Sequence, residues 1–183
     1  MNLYETGVVH GRFQVLHRDH MKYIMAGRAR CRRLVVGISS PDPVLSGREQ
    51  AAPGRDSEES NPLTYYQRQE LVRAALAGEG VPLSEFTVVP FPVNRPDLLR
   101  HYVPMDAVFF LTIYDDWGRE KLRRFTELGL ATEVLRDVTP EEKGISAGEV
   151  RRLIIEGAPW EHLVPAAVAR LLKEWGIAHI LRV

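Results

Sequence analysis

Gly7-Val8-Val9-His10-Gly11-Arg12-Phe13-Gln14-Val15-Leu16-His17-Arg18-Asp19-His20 is the stretch on which the fold turns. A short β-branched run, Gly7 to His10, passes through Gly11 into a segment whose apolar residues Met21, Ile24 and Met25 share one helical stripe. A strand that turns at a glycine into a helix is the place where α/β folds bind anions, because exposed backbone N–H groups and the helix dipole favour negative charge there. Gly11 lets a phosphate approach the backbone closely. Arg12 and Arg18 offer guanidinium forks suited to phosphate oxygens. His17 and His20, three apart, share a face once the helix has begun, so both imidazoles can point at one ligand.

Working outward, the same alternation repeats. Further apolar runs stand at Leu34–Ile38, Phe86–Pro90, Ala107–Leu111 and Thr132–Leu135. Near-continuous apolar strands separated by amphipathic segments are what a parallel sheet covered on both faces requires. Thr64 opens a helix with Gln67 three residues on, a capping-box pair, and Leu71, Val72, Ala75 and Leu76 form its buried face. A further helix runs from about Asp116 to Leu128 and closes at Gly129. Ser146 and Glu149 form a second capping pair, for a helix ending near Gly157. Pro165 fits the first turn of a last helix through Ala167, Leu171, Leu172 and Trp175, stopped at Gly176.

The expected fold is therefore α/β, a Rossmann-like doubly wound sheet of about five mainly parallel strands with helices on both faces and a C-terminal helical segment over 145–176. Between Ser39 and Pro62 no period survives, and a loop of that length is either mobile or functional, often a lid.

Composition narrows the class. At 183 residues the chain is one domain by length. Its 24 Lys and Arg balance 24 Asp and Glu, which argues against a surface that grips nucleic acid or anionic membrane, though not against a local basic pocket. No apolar run is long enough to span a bilayer. The opening MNLYETGVV has neither a basic nor an apolar leader region, and a single cysteine, Cys31, allows no internal disulfide and no Cys-based zinc site. A cytoplasmic, reducing compartment is the expectation.

Three readings of the histidine pair compete: surface or capping residues, metal ligands, and phosphate donors. No carboxylate or Cys partners at a zinc spacing accompany them, so no protein-held metal is expected. A strand end, a glycine, arginines and two histidines arriving together favour the phosphate reading. Elsewhere the plainer reading holds. Arg28, Arg30, Arg32 and Arg33 read as a solvated face, and Trp117, Trp160 and Trp175 as core or edge-covering residues.

The segment Gly11–His20 resembles the (H/T)xGH signature of the nucleotidyltransferase superfamily, and its GRFQ-x-x-H-x-x-H form is similar to the archaeal-type nicotinamide-mononucleotide adenylyltransferases. The second signature of that superfamily, ISxTxxR, has its likeness in Ile145-Ser146-Ala147-Gly148-Glu149-Val150-Arg151. Asn61–Thr64, Arg68 and Trp160–Pro165 extend the likeness over most of the chain. The resemblance implies adenylyl transfer from ATP, with Mg²⁺, to nicotinamide or nicotinic acid mononucleotide, by direct in-line attack. It implies His17 and His20 on the triphosphate, with His20 nearest the α-phosphoryl group, and Arg151 on the β/γ-phosphates. Gly11, Arg12 and Phe13 would form the phosphate turn, Ser146 a donor at its helix N-terminus, and Lys143 a further clamp. His101, Tyr102 and Tyr114 lie where a mononucleotide ring would stack. Related enzymes are often oligomers, so a homo-oligomer is within its scope.

Four positions depart from the family pattern. Asp19 stands where the motif has Gly, Gly148 replaces Thr, Gln67 replaces a Glu, and Leu111–Asp116 replaces a short polar turn near the adenosine. These keep two alternatives open: a nucleotidyltransferase for another acceptor, such as phosphopantetheine or an alcohol phosphate with CTP, and a nucleotide-binding protein whose catalysis has decayed. A carboxylate at position 19 beside a polyphosphate should repel it unless it points away or meets Mg²⁺ or Arg18.

Overall fold

The computed structural model describes residues 3–40, 42 and 60–182. Five parallel strands, β1 (Tyr4–Gly11), β2 (Cys31–Ser39), β3 (Phe86–Phe91), β4 (Val108–Ile113) and β5 (Ala131–Asp137), form one sheet in the order β3-β2-β1-β4-β5. The helices are α1 (Arg18–Arg28), α2 (Tyr65–Gly78), α3 (Asp116–Glu127), α4 (Ala147–Glu156), α5 (Ala166–Glu174) and α6 (Ile177–Ile180). This is the doubly wound α/β arrangement that the alternation of apolar runs required. No helix among the described residues is long and apolar enough to cross a membrane.

The two-residue period of the strands sorts their side chains between two cores. Val9, Leu34, Val36, Val108 and Phe110 face a larger core beneath α1, α2, α4 and α5. Val8, Val35, Phe109 and Leu111 face a smaller one closed by Phe125 of α3 and by Leu99. Such apolar runs leave no polar face, so both must be covered, and the crossovers that cover them have to lie on opposite sides.

The capping signals act where the sequence placed them. Thr64 and Gln67 form a reciprocal box at α2, and Gly157 ends α4 in the left-handed conformation (φ 70°). At α4 only half of the expected box forms, Ser146 Oγ accepting from the Glu149 N–H at 3.1 Å. The chain does not stop at Gly176. It turns there through φ 63° into α6, which buries Ile177. Of the long Ser39–Pro62 loop, 41 and 43–59 lie outside the described residues, so its expected role as a lid is not addressed.

One irregularity positions everything that follows. β1 pairs with β4 only through Gly7↔Val108 and Val8↔Phe109. Beyond that point the strands part, and the Tyr23 hydroxyl fills the gap. It accepts from the His10 N–H at 3.2 Å and donates to the Phe110 carbonyl at 2.6 Å. The opening falls where the strand order reverses, at the carboxyl ends of the strands, where open α/β sheets bind their ligands.

Candidate active site

The parted ends of β1 and β4 frame a cavity of about 260 Å³. Its described wall carries Arg12, Lys121, Arg151 and two histidines, His10 and His20, and not one Asp or Glu. A neutral protein has thus concentrated positive charge in one crevice, as an anion site requires. Among the described residues no group of three or more His, Cys, Asp or Glu could hold a metal ion.

On the α1 side the two expected histidines do not play equal parts. The His20 N–H donates to His17 Nδ1, and the His17 N–H donates to His20 Nδ1, each at 3.4 Å, a capping box built from two imidazoles. A nitrogen that accepts from a backbone N–H carries no proton, so in each neutral ring the proton sits on Nε2. The rings stack at 3.6 Å between centroids, and Phe13 meets His20 edge-on at 5.1 Å. His20 lines the cavity, while His17 is 4% exposed and stands behind it. Of the two histidines expected at the ligand, the structure thus brings His20 to the cavity and leaves His17 as its capping and stacking partner.

The turn before the helix is equally fixed. Phe13 is fully buried with φ 53°, and a Cβ on Gly11 would stand 2.8 Å from its ring. Gly11 is therefore required by the Phe13 ring as well as by any approaching phosphate. Gln14 exchanges two hydrogen bonds of 2.9 Å with the backbone of Leu63. Arg68, 1% exposed, donates to the carbonyls of Arg12, Ser39, Ser40 and Thr64. Burial, with the nearby Arg12 charge, pulls its guanidinium down to about 10. Arg18 does not line the cavity, and its Nε donates to the His162 carbonyl at 2.7 Å.

The second motif reaches the same cavity from α4. Ser146, Gly148 and Arg151 line it, and Arg151 Nη1 donates to the Gln14 carbonyl, which ties the two motifs together. Burial lowers the Arg151 guanidinium. Asp19 does not face the cavity. One oxygen accepts from the Ile145 N–H at 2.8 Å and the other from Lys22 Nζ at 2.6 Å. Partial burial pushes its carboxyl up, but the bonds from Lys22 and Ile145 outweigh this and hold it below the ordinary range. Gly144 is shaped to the same contact, with φ 77° and room for Asp19 where a Cβ would stand 2.4 Å from its Oδ2. The carboxylate that looked like an obstacle is a strut between the motifs. The side chain of Lys143 lies outside the described residues, so its role as a clamp stays an expectation.

The α3 side differs most from expectation. Tyr114 lines the cavity, but His101 is exposed and Tyr102 packs against the smaller core, so neither is in the wall. The short 3₁₀ turn Pro96–His101 buries Leu99 and thereby directs His101 outward. In their place stand Trp117, Lys121, Asn94 and His10. Trp117, read from sequence as a core residue, touches the smaller core yet also lines the cavity, with Arg124 5.0 Å from its ring. The signal for His10 was present in the strand alternation: it shares the parity of Val8, which places an imidazole at an apolar, inward position.

Relatives agree with this architecture. The chain is 53% identical over 177 residues to the phosphonoformate cytidylyltransferase of Streptomyces viridochromogenes, covering 97% of this chain and 95% of that one. It is 28% identical over 172 residues to the nicotinamide-nucleotide adenylyltransferase of Thermococcus kodakarensis, covering 93% of this chain and 83% of that one. A solved structure from Francisella tularensis, a bifunctional NMN adenylyltransferase/ADP ribose pyrophosphatase with AMP and a manganese ion, shares the fold at TM-score 0.69 and 16% identity. It matches 98% of this chain, which spans 51% of that longer one. No family model matches the chain. The chain belongs to the nucleotidyltransferase superfamily. Its reaction class is transfer of a nucleotidyl group.

Proposed function

We propose that the protein transfers a cytidylyl group from CTP to a small phosphonate acceptor, phosphonoformate or a close analogue. The observation that carries this reading is the 53% identity, end to end, with a phosphonoformate cytidylyltransferase. The cavity supports it. A compact trianion needs concentrated positive charge and short polar contacts, which Arg12, Lys121 and His10 offer. Of the three positions read from sequence as pyridine-stacking, His101 and Tyr102 stand outside the wall, and Tyr114 lines it.

In the reaction a phosphonate oxygen of the acceptor attacks the α-phosphorus of CTP. The new P–O bond forms as the bond to the bridging oxygen breaks, and that electron pair leaves with pyrophosphate. No enzyme nucleophile is required, so catalysis is alignment of two anions and neutralisation of charge. His20 donates from Nε2 to the α-phosphoryl oxygens, and Arg151 and the N–H groups at the start of α4 hold the leaving pyrophosphate. Ser146 adds its N–H to that end while its hydroxyl caps the helix. Mg²⁺ carried on the triphosphate supplies further charge neutralisation. A wall of cations and hydroxyls without carboxylates fits an ion held by phosphates and water rather than by a protein cage. With Cys31 buried and unbridged, a reducing cytoplasmic setting suits the reading.

Adenylyl transfer to a pyridine mononucleotide is the second reading, favoured by the GRFQ-x-x-H-x-x-H motif and by the Thermococcus relative. Purified protein with Mg²⁺ and CTP or ATP is assayed by chromatography against phosphonoformate, nicotinamide mononucleotide and nicotinic acid mononucleotide. Product from CTP and phosphonoformate is the expected outcome. A dinucleotide from ATP alone replaces the proposal with the second reading. Nucleotide binding without any product supports the decayed reading instead.

A further inference from the structure

His10 sits at the carboxyl end of β1, 7% exposed, its ring stacked on Phe91 at 4.6 Å and tilted against Phe125 at 5.6 Å. Neither ring nitrogen hydrogen-bonds any protein group among the described residues, yet His10 is part of the cavity wall. Burying a polar ring without a partner costs free energy that an apolar residue in the same slot would avoid. Every neighbouring inward position of β1 and β4 on this face, Val8, Phe109 and Leu111, is apolar. A histidine held there by two phenylalanines, open only toward the cavity, is built to meet something that enters the cavity.

We propose that His10 is an acceptor-binding, specificity-determining residue, its ring N–H donating to an anionic oxygen of a small carboxylated phosphonate. This rests on the cytidylyl-transfer reading and adds to it the residue that recognises the acceptor. Burial, and the charge of Lys121 nearby, hold the imidazole well below its ordinary range, so it stays uncharged. An uncharged ring offers one N–H donor and one acceptor nitrogen, and with no protein group fixing the tautomer either nitrogen can carry the proton. Lys121 supplies charge from α3 while His10 supplies direction from β1. His20 stands across the cavity on the α1 side, so an acceptor held by His10 lies between the α3 wall and the α-phosphorus that His20 addresses.

The test is steady-state kinetics of His10→Leu and His10→Asn with CTP and phosphonoformate, alongside melting curves. Loss of a hydrogen bond to a charged group predicts that His10→Leu raises the phosphonoformate KM about tenfold or more, with the CTP KM within about twofold. Its melting midpoint should hold or rise, and His10→Asn, which keeps a donor, should recover part of the affinity. An unchanged phosphonoformate KM, or both KM values rising together with a lowered midpoint, overturns the inference while cytidylyl transfer stands. If the wild type makes no product, the functional reading fails, and His10 is judged by its ring ¹⁵N resonances during phosphonoformate titration. Shifts of those resonances that vanish in His10→Leu support the contact, and unmoved resonances overturn it.

Discussion

On the side of the cavity between α1 and α4, nearly every polar group is held by another part of the chain. His17 and His20 cap each other, Asp19 binds Ile145, Arg151 binds Gln14, and Arg68 gathers four carbonyls beneath them. On the side between β1, β4 and α3, the His10 ring has no protein hydrogen bond among the described residues and is held by packing against Phe91 and Phe125. On the proposed reading, the first wall is a cross-linked frame for a ligand part common to all nucleotidyl transfers, the triphosphate. On the second, the His10 ring is left for what the proposal puts there, the ligand that varies, the acceptor. Charge stabilisation in a transition state depends on donors that need no reorganisation, so cross-linking belongs on the phosphate side.

The sharpest way to break this contrast is His20→Ala. Removing one preorganised donor should lower kcat by about 10², measured by pyrophosphate release, while the lost half of the α1 cap costs about 1 kcal/mol of stability. Near wild-type turnover would take His20 out of the chemistry. Next in size, Arg68→Met strips the donor from buried carbonyls and should destabilise the fold by about 2 kcal/mol in denaturant titration, with activity falling only as structure is lost. A turnover defect at full stability would move Arg68 from the frame to the ligand.

Asp19→Asn sharpens the role of the strut. Asparagine can still accept from the Ile145 N–H but loses the ion pair with Lys22, whose side chain is 75% exposed. The expected stability loss is at most about 1 kcal/mol. Because the folded carboxyl is held below its unfolded value of 3.8, its contribution is present above that pH and is lost as pH falls through the folded value. The gap between wild type and Asp19→Asn, followed by thermal melts from neutral pH into acid, should therefore close on the acid side. The smallest effect belongs to His101→Ala: a residue outside the wall should leave the acceptor KM within about twofold, the range of ordinary surface substitutions. A large rise would return the acceptor to the position that the sequence pattern indicated.

The fold was legible because the four strands β1 to β4 are mostly buried apolar runs, and because α2 and α4 start at residues that cap them. Thr64 with Gln67, Ser146 and Gly157 mark their helix ends by local chemistry, which needs no knowledge of the rest of the chain. The wall between α1 and α4 was legible for a related reason, since its polar residues cluster in two short motifs that line one cavity. What a local pattern could not give was direction. Asp19 faces Ile145, 126 residues away, and only the packing of α1 against the segment before α4 turns it from the cavity. His17 and His20 looked equivalent by spacing, and the reciprocal cap makes one a support for the other. His10 and Lys121 come together only through the crossover that places α3 against β4 and β5, so the proposed acceptor wall was written in topology rather than in any one motif.

The most direct test of cytidylyl transfer is a single ³¹P NMR time course with CTP and ATP at equal concentration, Mg²⁺ and phosphonoformate in one tube. The account predicts loss of the CTP signals, growth of pyrophosphate and a new phosphonate–phosphate anhydride pair, with ATP left largely intact. Consumption of ATP in preference to CTP, or no anhydride signal from either nucleotide, would contradict it.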